Sequence, residues 1–358
     1  MNILLLSTSK PYNGSGSGLT EYAYQLISNL KPMLKRKDKI EYLYALEAAR
    51  RNDIWGLLEV NTKFKNKIKG IPKEKYNIIH ITNQEIGFAA KILKKSGSRA
   101  RVITTIHDLS RLEKGLHNGL FQKAYNRLIR RSIKDTIKYS DYILCDSSQT
   151  DKTITEKFGE MKNINVVSLG TSDKIINSPI KKAIKGTTFE IGYIGALMKH
   201  KNVTFILNAA KHLREKDYKI RIYGTGIDKK MLESFGKSHG LDNVYLVGYL
   251  NENRKALTYD SFDAFVFPSL YEGFGLPILE AQVRGLPVII YKYGKIPKEV
   301  RKYCLEAESS EHMAQIIEGL KENGYNEKLR KKAAEYARSF TWEKTARETL
   351  KVYRKVLR

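Results

Sequence analysis

The chain has 358 residues, 42% of them hydrophobic and 28% charged, with a formal net charge of +26. That length calls for two domains, and no apolar run approaches the roughly 20 residues of a membrane span, so disordered and membrane-spanning classes are set aside. The positive charge raises nucleic acid as a partner, but residues 1–170 hold 30 Lys and Arg against 16 Asp and Glu, and the rest 34 against 22. So even a spread marks a generally basic protein, and no zinc-finger spacing, basic zipper or RNA-recognition aromatic motif accompanies it.

Residues 2–7 read as a buried strand; the start lacks the basic n-region of a signal peptide. A glycine-rich loop at 9–18, with Gly16 and Gly18, leads into a helix over about 19–30. Such a loop lets backbone approach a ligand, although the spacing is not the G-x-G-x-x-G dinucleotide fingerprint. A strand over 40–46 follows, then a basic, irregular stretch at 50–75 anchored by Trp55 and Phe64, a strand over 76–81 and a helix over 85–95. The strand at 102–106 ends in His107-Asp108. A His-Asp pair at the carboxyl end of a parallel strand lies where doubly wound sheets bind ligands; a loop-capping Asp with an incidental His is the alternative. Along a helix over 116–138, Lys123, Arg127, Arg130, Arg131, Lys134 and Lys138 fall within about 100° of arc. Phe121, Tyr125, Leu128 and Ile129 lie opposite. A face of this kind suits an anionic membrane or is simply solvated. Strands at 142–145 and 164–167 flank a helix begun by the capping residues of 146–151. Residues 169–186 are polar and irregular, a linker. Cys145 and Cys304, far apart and without metal-like neighbours, are expected as reduced thiols.

A second strand and helix array opens at 189–195, which ends in Gly195, and continues through Ala196-Leu-Met-Lys-His-Lys-Asn202 into a helix over 203–214. The strand at 219–224 ends at Gly224, and that at 243–250 ends in Gly248, Tyr249 and Leu250. A helix covers 252–259. The stretch 264–290 is the most informative. An apolar strand at 264–267 gives way to a loop in which Gly273 and Gly275 permit a tight path. Pro277 suits a helix start, the helix ends near Gly285, and a buried strand follows at 288–290. Free N–H groups at such a helix start attract anions. Glu272 and Glu280 frame it; carboxylates repel phosphate but accept from sugar hydroxyls, so a ligand with both, a sugar nucleotide, fits. Helices at 309–323 and 326–339 precede a terminal helix capped at Thr341.

The run Pro268-Ser-Leu-Tyr-Glu-Gly-Phe-Gly-Leu-Pro-Ile-Leu-Glu280, with seven residues between its two glutamates, resembles the signature of retaining glycosyltransferases of family 4, which have the GT-B fold. The resemblance implies an α/β protein of two doubly wound Rossmann-like domains facing across a cleft. Residues 1–170, with a returning helix at 341–358, would form the acceptor side, and 171–340 would bind the nucleotide sugar. By the same resemblance Glu280 accepts from the ribose hydroxyls. Glu272 holds the sugar with the backbone of Phe274, Gly275 and Leu276. Lys201 stabilises the leaving diphosphate beside Gly195. Ala196 stands where the family usually has an arginine, so Lys199 or His200 is expected to supply that charge. Gly16 and Gly18 face the transferred sugar, Gly224, Gly248, Tyr249 and Leu250 lie in the nucleobase region, and His107 contacts donor sugar and phosphate.

Both glutamates lie on the donor side, so neither is assigned the nucleophile role of a retaining glycosidase. The family analogy has the acceptor attack on the leaving-group face while a phosphate oxygen takes its proton. No Asp-x-Asp motif occurs, so neither a catalytic metal nor a cofactor beyond the donor is implied. The donor would be GDP-mannose or a UDP-hexose; the Tyr271-to-Pro277 form together with His107-Asp-Leu109 resembles mannosyltransferase subgroups and favours the first. The expected acceptor is a glycan or a lipid-linked sugar, met by a cytoplasmic protein peripheral on the membrane through 116–138, with no specific nucleic acid partner. Two other readings stay open: a nucleic-acid-binding protein on an inactive GT-B fold, whose binding would be steeply salt-dependent, and a GT-B epimerase or phosphorylase.

Overall fold

The computed structural model describes residues 1–10, 18–46, 54–72, 74–113, 120–179, 187–213 and 217–358; Gly16 and the side chains of Trp55 and Phe121 lie outside that set. The chain divides into two compact units, Met1–Gly170 with Trp342–Arg358, and Thr171–Thr341.

The first unit runs β1 (Asn2–Ser9), α1 (Gly18–Leu30), β2 (Lys39–Leu46), α2 (Ile54–Lys69), β3 (Ile78–Ile81), α3 (Phe88–Lys95), β4 (Arg101–Ile106), α4 (Leu120–Tyr139), β5 (Tyr142–Cys145), α5 (Ser148–Phe158) and β6 (Ile164–Val166). Its strands form a parallel sheet in the order β2-β1-β3-β4-β5-β6. Every residue of β3 and β5 is buried, because crossover helices cover both faces of a parallel sheet.

The stretch 50–75, read as irregular, contains α2. Val60, Phe64 and Ile68 recur every four residues and are buried, which is the apolar stripe of a helix. The interleaved lysines of Lys63-Phe-Lys-Asn-Lys-Ile-Lys69 hide that stripe, since locally the run alternates like a strand. A second difference follows from the first. Helix α2 packs on α3, and both pack on α4. These three helices carry thirteen Lys and Arg against two acidic residues, Glu59 and Asp135. The charge is even along the sequence but is gathered by the fold into one helical layer. All six basic residues of the α4 stripe are exposed, while Tyr125, Ile129 and Ile133 are buried.

The second unit runs α6 (Asp173–Asn177), β7 (Phe189–Ile194), α7 (Val203–Ala210), β8 (Tyr218–Tyr223), α8 (Lys229–Ser238), β9 (Val244–Gly248), α9 (Lys255–Asp260), β10 (Ala264–Phe267), α10 (Leu276–Val283), β11 (Val288–Tyr291), α11 (Lys298–Arg301), β12 (Leu305–Ala307), α12 (Ser310–Asn323) and α13 (Glu327–Arg338). The parallel sheet has the order β12-β11-β10-β7-β8-β9. Helix α8 and strand β12 carry too few apolar residues to stand out in the sequence. The supposed linker also contains structure. Arg284, on the turn after α10, donates to both Asp260 oxygens at 2.8 and 2.5 Å and to the carbonyls of Ile175, Ser178 and Pro179. It thereby fastens α6 to the unit.

The last helix, α14 (Trp342–Val356), belongs to the first unit. Thr345 donates to the Ser168 carbonyl at 2.8 Å and Lys355 reaches the Tyr142 hydroxyl at 2.8 Å. The Tyr353 hydroxyl lies 2.6 Å from His80 Nδ1, and His80 Nε2 lies 2.7 Å from Thr105 Oγ1. Burial drives the His80 pKa down to about 3, so its neutral ring serves as a fixed polar link between α14 and the sheet.

Candidate active site

In an open parallel sheet, ligands bind outside the carboxyl ends of the strands where the order reverses. In the second unit the chain builds β7, β8 and β9 outward in one direction, then returns to the other side of β7 with β10. The switch point therefore lies between β7 and β10, and the loops that leave these strands hold Gly195, Lys199, Lys201, Glu272, Phe274 and Gly275 among the residues singled out from the sequence.

Those loops are stitched together by backbone. The Leu270 N–H donates to the His200 carbonyl at 2.8 Å and the Asn202 side-chain amide to the Pro268 carbonyl at 3.2 Å, while the Glu272 N–H donates to the carbonyl of Lys295, on the segment after β11, at 3.0 Å. Asn202 has φ 54°, a left-handed conformation that asparagine tolerates, and it turns the chain into α7. As a result the Lys201 ammonium lies 2.6 Å from Glu272 Oε1, with the two side chains 16% and 7% exposed. Lys201 also sits over the Phe267 ring. A cation and a carboxylate thus neutralise each other at the switch point.

Helix α10 starts from Gly275, whose φ of 105° is a conformation that favours glycine, with Pro277 in its first turn. Leu276 opens the helix. Phe274 is buried against Phe340, so only its backbone is available to a ligand. Glu280 is 3% exposed. Its Oε1 accepts from Lys255 at 2.9 Å and its Oε2 from the Tyr259 hydroxyl at 2.8 Å. Neither partner stands out in the sequence. They lie four residues apart on α9, hence on one face, but only the tertiary fold aims that face at α10.

The glycines have different roles. Gly195 donates to the Tyr223 carbonyl and Gly224 to the Gly248 carbonyl, so the ends of β7, β8 and β9 are joined by backbone. A Cβ on Gly224 would come within 1.8 Å of the Gly195 oxygen, so this glycine is needed for packing. Gly18 and Gly248 have open space where a Cβ would stand, Tyr249 is exposed, and Leu250 is half-buried. Lys199 does not join Lys201. It is exposed and lines a neighbouring cleft of about 350 Å³ with Asn202, Thr204, Asp228, Met231 and Leu270. His200 contributes its carbonyl, and Ala196 accepts from the Tyr193 hydroxyl at 3.0 Å.

In the first unit, His107 follows β4. Its Nδ1 lies 2.5 Å from Asp146 Oδ2 and its Nε2 lies 2.7 Å from the Thr82 carbonyl. A carbonyl only accepts, so Nε2 donates, and Nδ1 shares a short hydrogen bond with the Asp146 carboxyl. Burial opposes a charge on the ring, but the attraction and hydrogen bond of Asp146 outweigh it and hold the His107 pKa above its ordinary value. Both ring nitrogens are thus engaged within the unit. Asp108 caps the next turn, accepting from the Ser110 N–H and hydroxyl at 2.9 and 2.7 Å. Asp146 was not singled out from the sequence. It follows Cys145, which pairs with Ile106 in the β4–β5 ladder, so the register puts it beside His107.

Residues 175–340 match the family described as Glycosyl transferases group 1. An uncharacterized glycosyltransferase of Methanocaldococcus jannaschii is 29% identical over 187 residues, 49% of this chain and 46% of the relative; the alignment thus spans about half of that relative's length. The O-antigen chain mannosyltransferase B of Escherichia coli is 26% identical over 272 residues, covering 71% of this chain and 70% of the relative. Among solved structures, sucrose-phosphate synthase from Thermosynechococcus elongatus matches with a TM-score of 0.77 at 18% identity, over 99% of this chain and 98% of that one. HepE of Anabaena in complex with UDP-glucose matches with a TM-score of 0.71 at 16% identity, over 99% and 100%. The fold is α/β with two parallel six-stranded sheets, and it is the GT-B fold of these solved structures. The second unit resembles the Glycosyl transferases group 1 family over residues 175–340, and a mannosyltransferase is among the proteins to which the chain is similar.

Proposed function

We propose that the protein is a retaining hexosyltransferase that moves a hexose from a nucleoside diphosphate to an acceptor hydroxyl. The observation that carries this reading is the pair of half-buried Lys201 and buried Glu272 at the β7/β10 switch point. A donor entering there offers a diphosphate to the ammonium and sugar hydroxyls to the carboxylate, so each charge exchanges its partner for a ligand group. The negative charge on the diphosphate grows as the glycosidic bond breaks, so Lys201 and the start of α10 act most strongly in the transition state. Glu280 takes the ribose hydroxyls. His107 is held in a fixed orientation, with Asp146 on one ring nitrogen and the Thr82 carbonyl on the other. Turnover needs neither metal nor cofactor in this reading, and GDP-mannose is the first donor to try. The test is a panel of GDP- and UDP-hexoses scored for nucleotide release, with the anomeric configuration of the product read by NMR; no release with any donor would overturn the reading.

Glu280→Gln is expected to weaken binding of GDP or UDP about tenfold, because hydrogen bonds to a charged acceptor are the stronger ones. Calorimetric titration measures it, and unchanged affinity would remove Glu280 from the nucleotide site.

The acceptor is membrane-presented in this reading, which rests on the basic layer of α2, α3 and α4. Lysines and arginines beside an anionic surface attract it additively, and salt screens the attraction. Sedimentation with liposomes containing anionic lipid should retain the protein at low salt. Neutral liposomes should not, and changing Arg127, Arg130, Arg131 and Lys134 to Glu should abolish retention. Protein left in the supernatant with anionic liposomes at low salt would dismiss the membrane while leaving the transferase reading intact.

A further inference from the structure

Glu280 is nearly inaccessible, yet it is not isolated. The Lys255 ammonium lies 2.9 Å from Oε1 and also faces Glu252 at 3.6 Å. The Tyr259 hydroxyl donates to Oε2 at 2.8 Å. Burial pulls against the charge on Lys255, but Glu280 and Glu252 more than restore it, so the ammonium stays protonated. A carboxylate has about four lone-pair positions. The two donors from α9 use one on each oxygen and leave one on each oxygen open. Two hydroxyls on adjacent carbons can fill that remaining pair together. Without the two donors the carboxylate would be a buried charge with no partner, which is unfavourable, and its plane would not be set.

We propose that Lys255 and Tyr259 are positioning residues that set the plane and charge of the Glu280 carboxylate, so that this site selects ligands bearing a vicinal diol and rejects deoxyribose forms. The inference rests on the donor reading of the site given above. Lys255 and Tyr259 act through Glu280, so their effect falls on discrimination between ligands rather than on nucleotide affinity as a whole.

The experiment is calorimetric titration with GDP and UDP and with their 2′-deoxy forms. The wild-type protein should bind the ribonucleotides about tenfold more tightly than the deoxy forms, as expected for a hydrogen bond to a charged acceptor. Lys255→Met should reduce that ratio to about twofold or less, Lys255→Arg should keep most of it, and Tyr259→Phe should give an intermediate value. A purely structural role would change both affinities together and leave the ratio intact. An undiminished ratio in Lys255→Met overturns the proposal. If that variant does not fold, Tyr259→Phe, which loses a single hydroxyl, decides in its place, and an undiminished ratio there overturns it equally. Failure of the wild-type protein to bind any of these ribonucleotides overturns the donor reading itself, a result distinct from binding without discrimination.

Discussion

Replacing Lys201 by alanine is expected to lower turnover on the order of a hundredfold while changing the Michaelis constant for the donor only severalfold. Removing one preorganised group aimed at developing charge typically has an effect of that size. The split follows from the geometry. In the free protein Lys201 is already paired with Glu272 at 2.6 Å, so part of what it offers the donor's ground state is offset by giving up that pair. Only as charge accumulates on the leaving diphosphate does the exchange favour the ligand strongly, and an interaction of this kind raises kcat rather than tightening binding. The loss of Lys201 also leaves Glu272, 6% exposed, without its cation, which on the proposed reading weakens the carboxylate's hold on the sugar. Steady-state kinetics of nucleotide release separates the two constants. Unchanged turnover would move the role to Lys199 or His200. The structure makes Lys199 a poor substitute, because it lines the neighbouring cleft beside Asp228.

Arg284→Ala is expected to destabilise the second unit by about 3–5 kcal/mol, the usual cost of leaving one partner of a buried ion pair uncompensated. Arg284 and Asp260 are 1% and 2% exposed, so little solvent screening softens the loss. The guanidinium also satisfies the carbonyls of Ile175, Ser178 and Pro179, which would be left without this donor. For a unit of this size the expected fall in Tm is roughly 10 °C. Lys should not rescue the position, because a single ammonium cannot span a bidentate carboxylate and three carbonyls. Differential scanning calorimetry of the Ala and Lys variants measures both points. A shift below about 2 °C in either would show that the 175–179 segment does not depend on this residue. The rival substitution, Arg284→Leu with Asp260→Leu, should recover much of the loss, since replacing both partners of a buried pair by apolar groups is often close to neutral.

Much of the fold was legible in the chain. The apolar runs at 2–7, 102–106, 142–145 and 264–267 become buried strands because a parallel sheet covered on both faces needs no polar alternation. The 267–280 stretch declared its strand, turn and helix through Gly275 and Pro277, residues whose backbone restrictions are local. The helix α2 was not legible, because its three core residues are separated by lysines that local alternation mistakes for a strand; packing on α3 and the sheet decides between the two periods.

At the site the division is similar. Residue types and local order are properties of the chain, so Glu272, Glu280 and Lys201 could be singled out from their neighbours. Partnership depends on strand register and on loops meeting across the switch point, 71 residues apart for Lys201 and Glu272 and 39 for His107 and Asp146. No local pattern encodes such a distance. Only the tertiary structure therefore decided that Glu280 rests on Lys255 and Tyr259, that His107 is paired with Asp146, and that an evenly distributed charge becomes one basic layer.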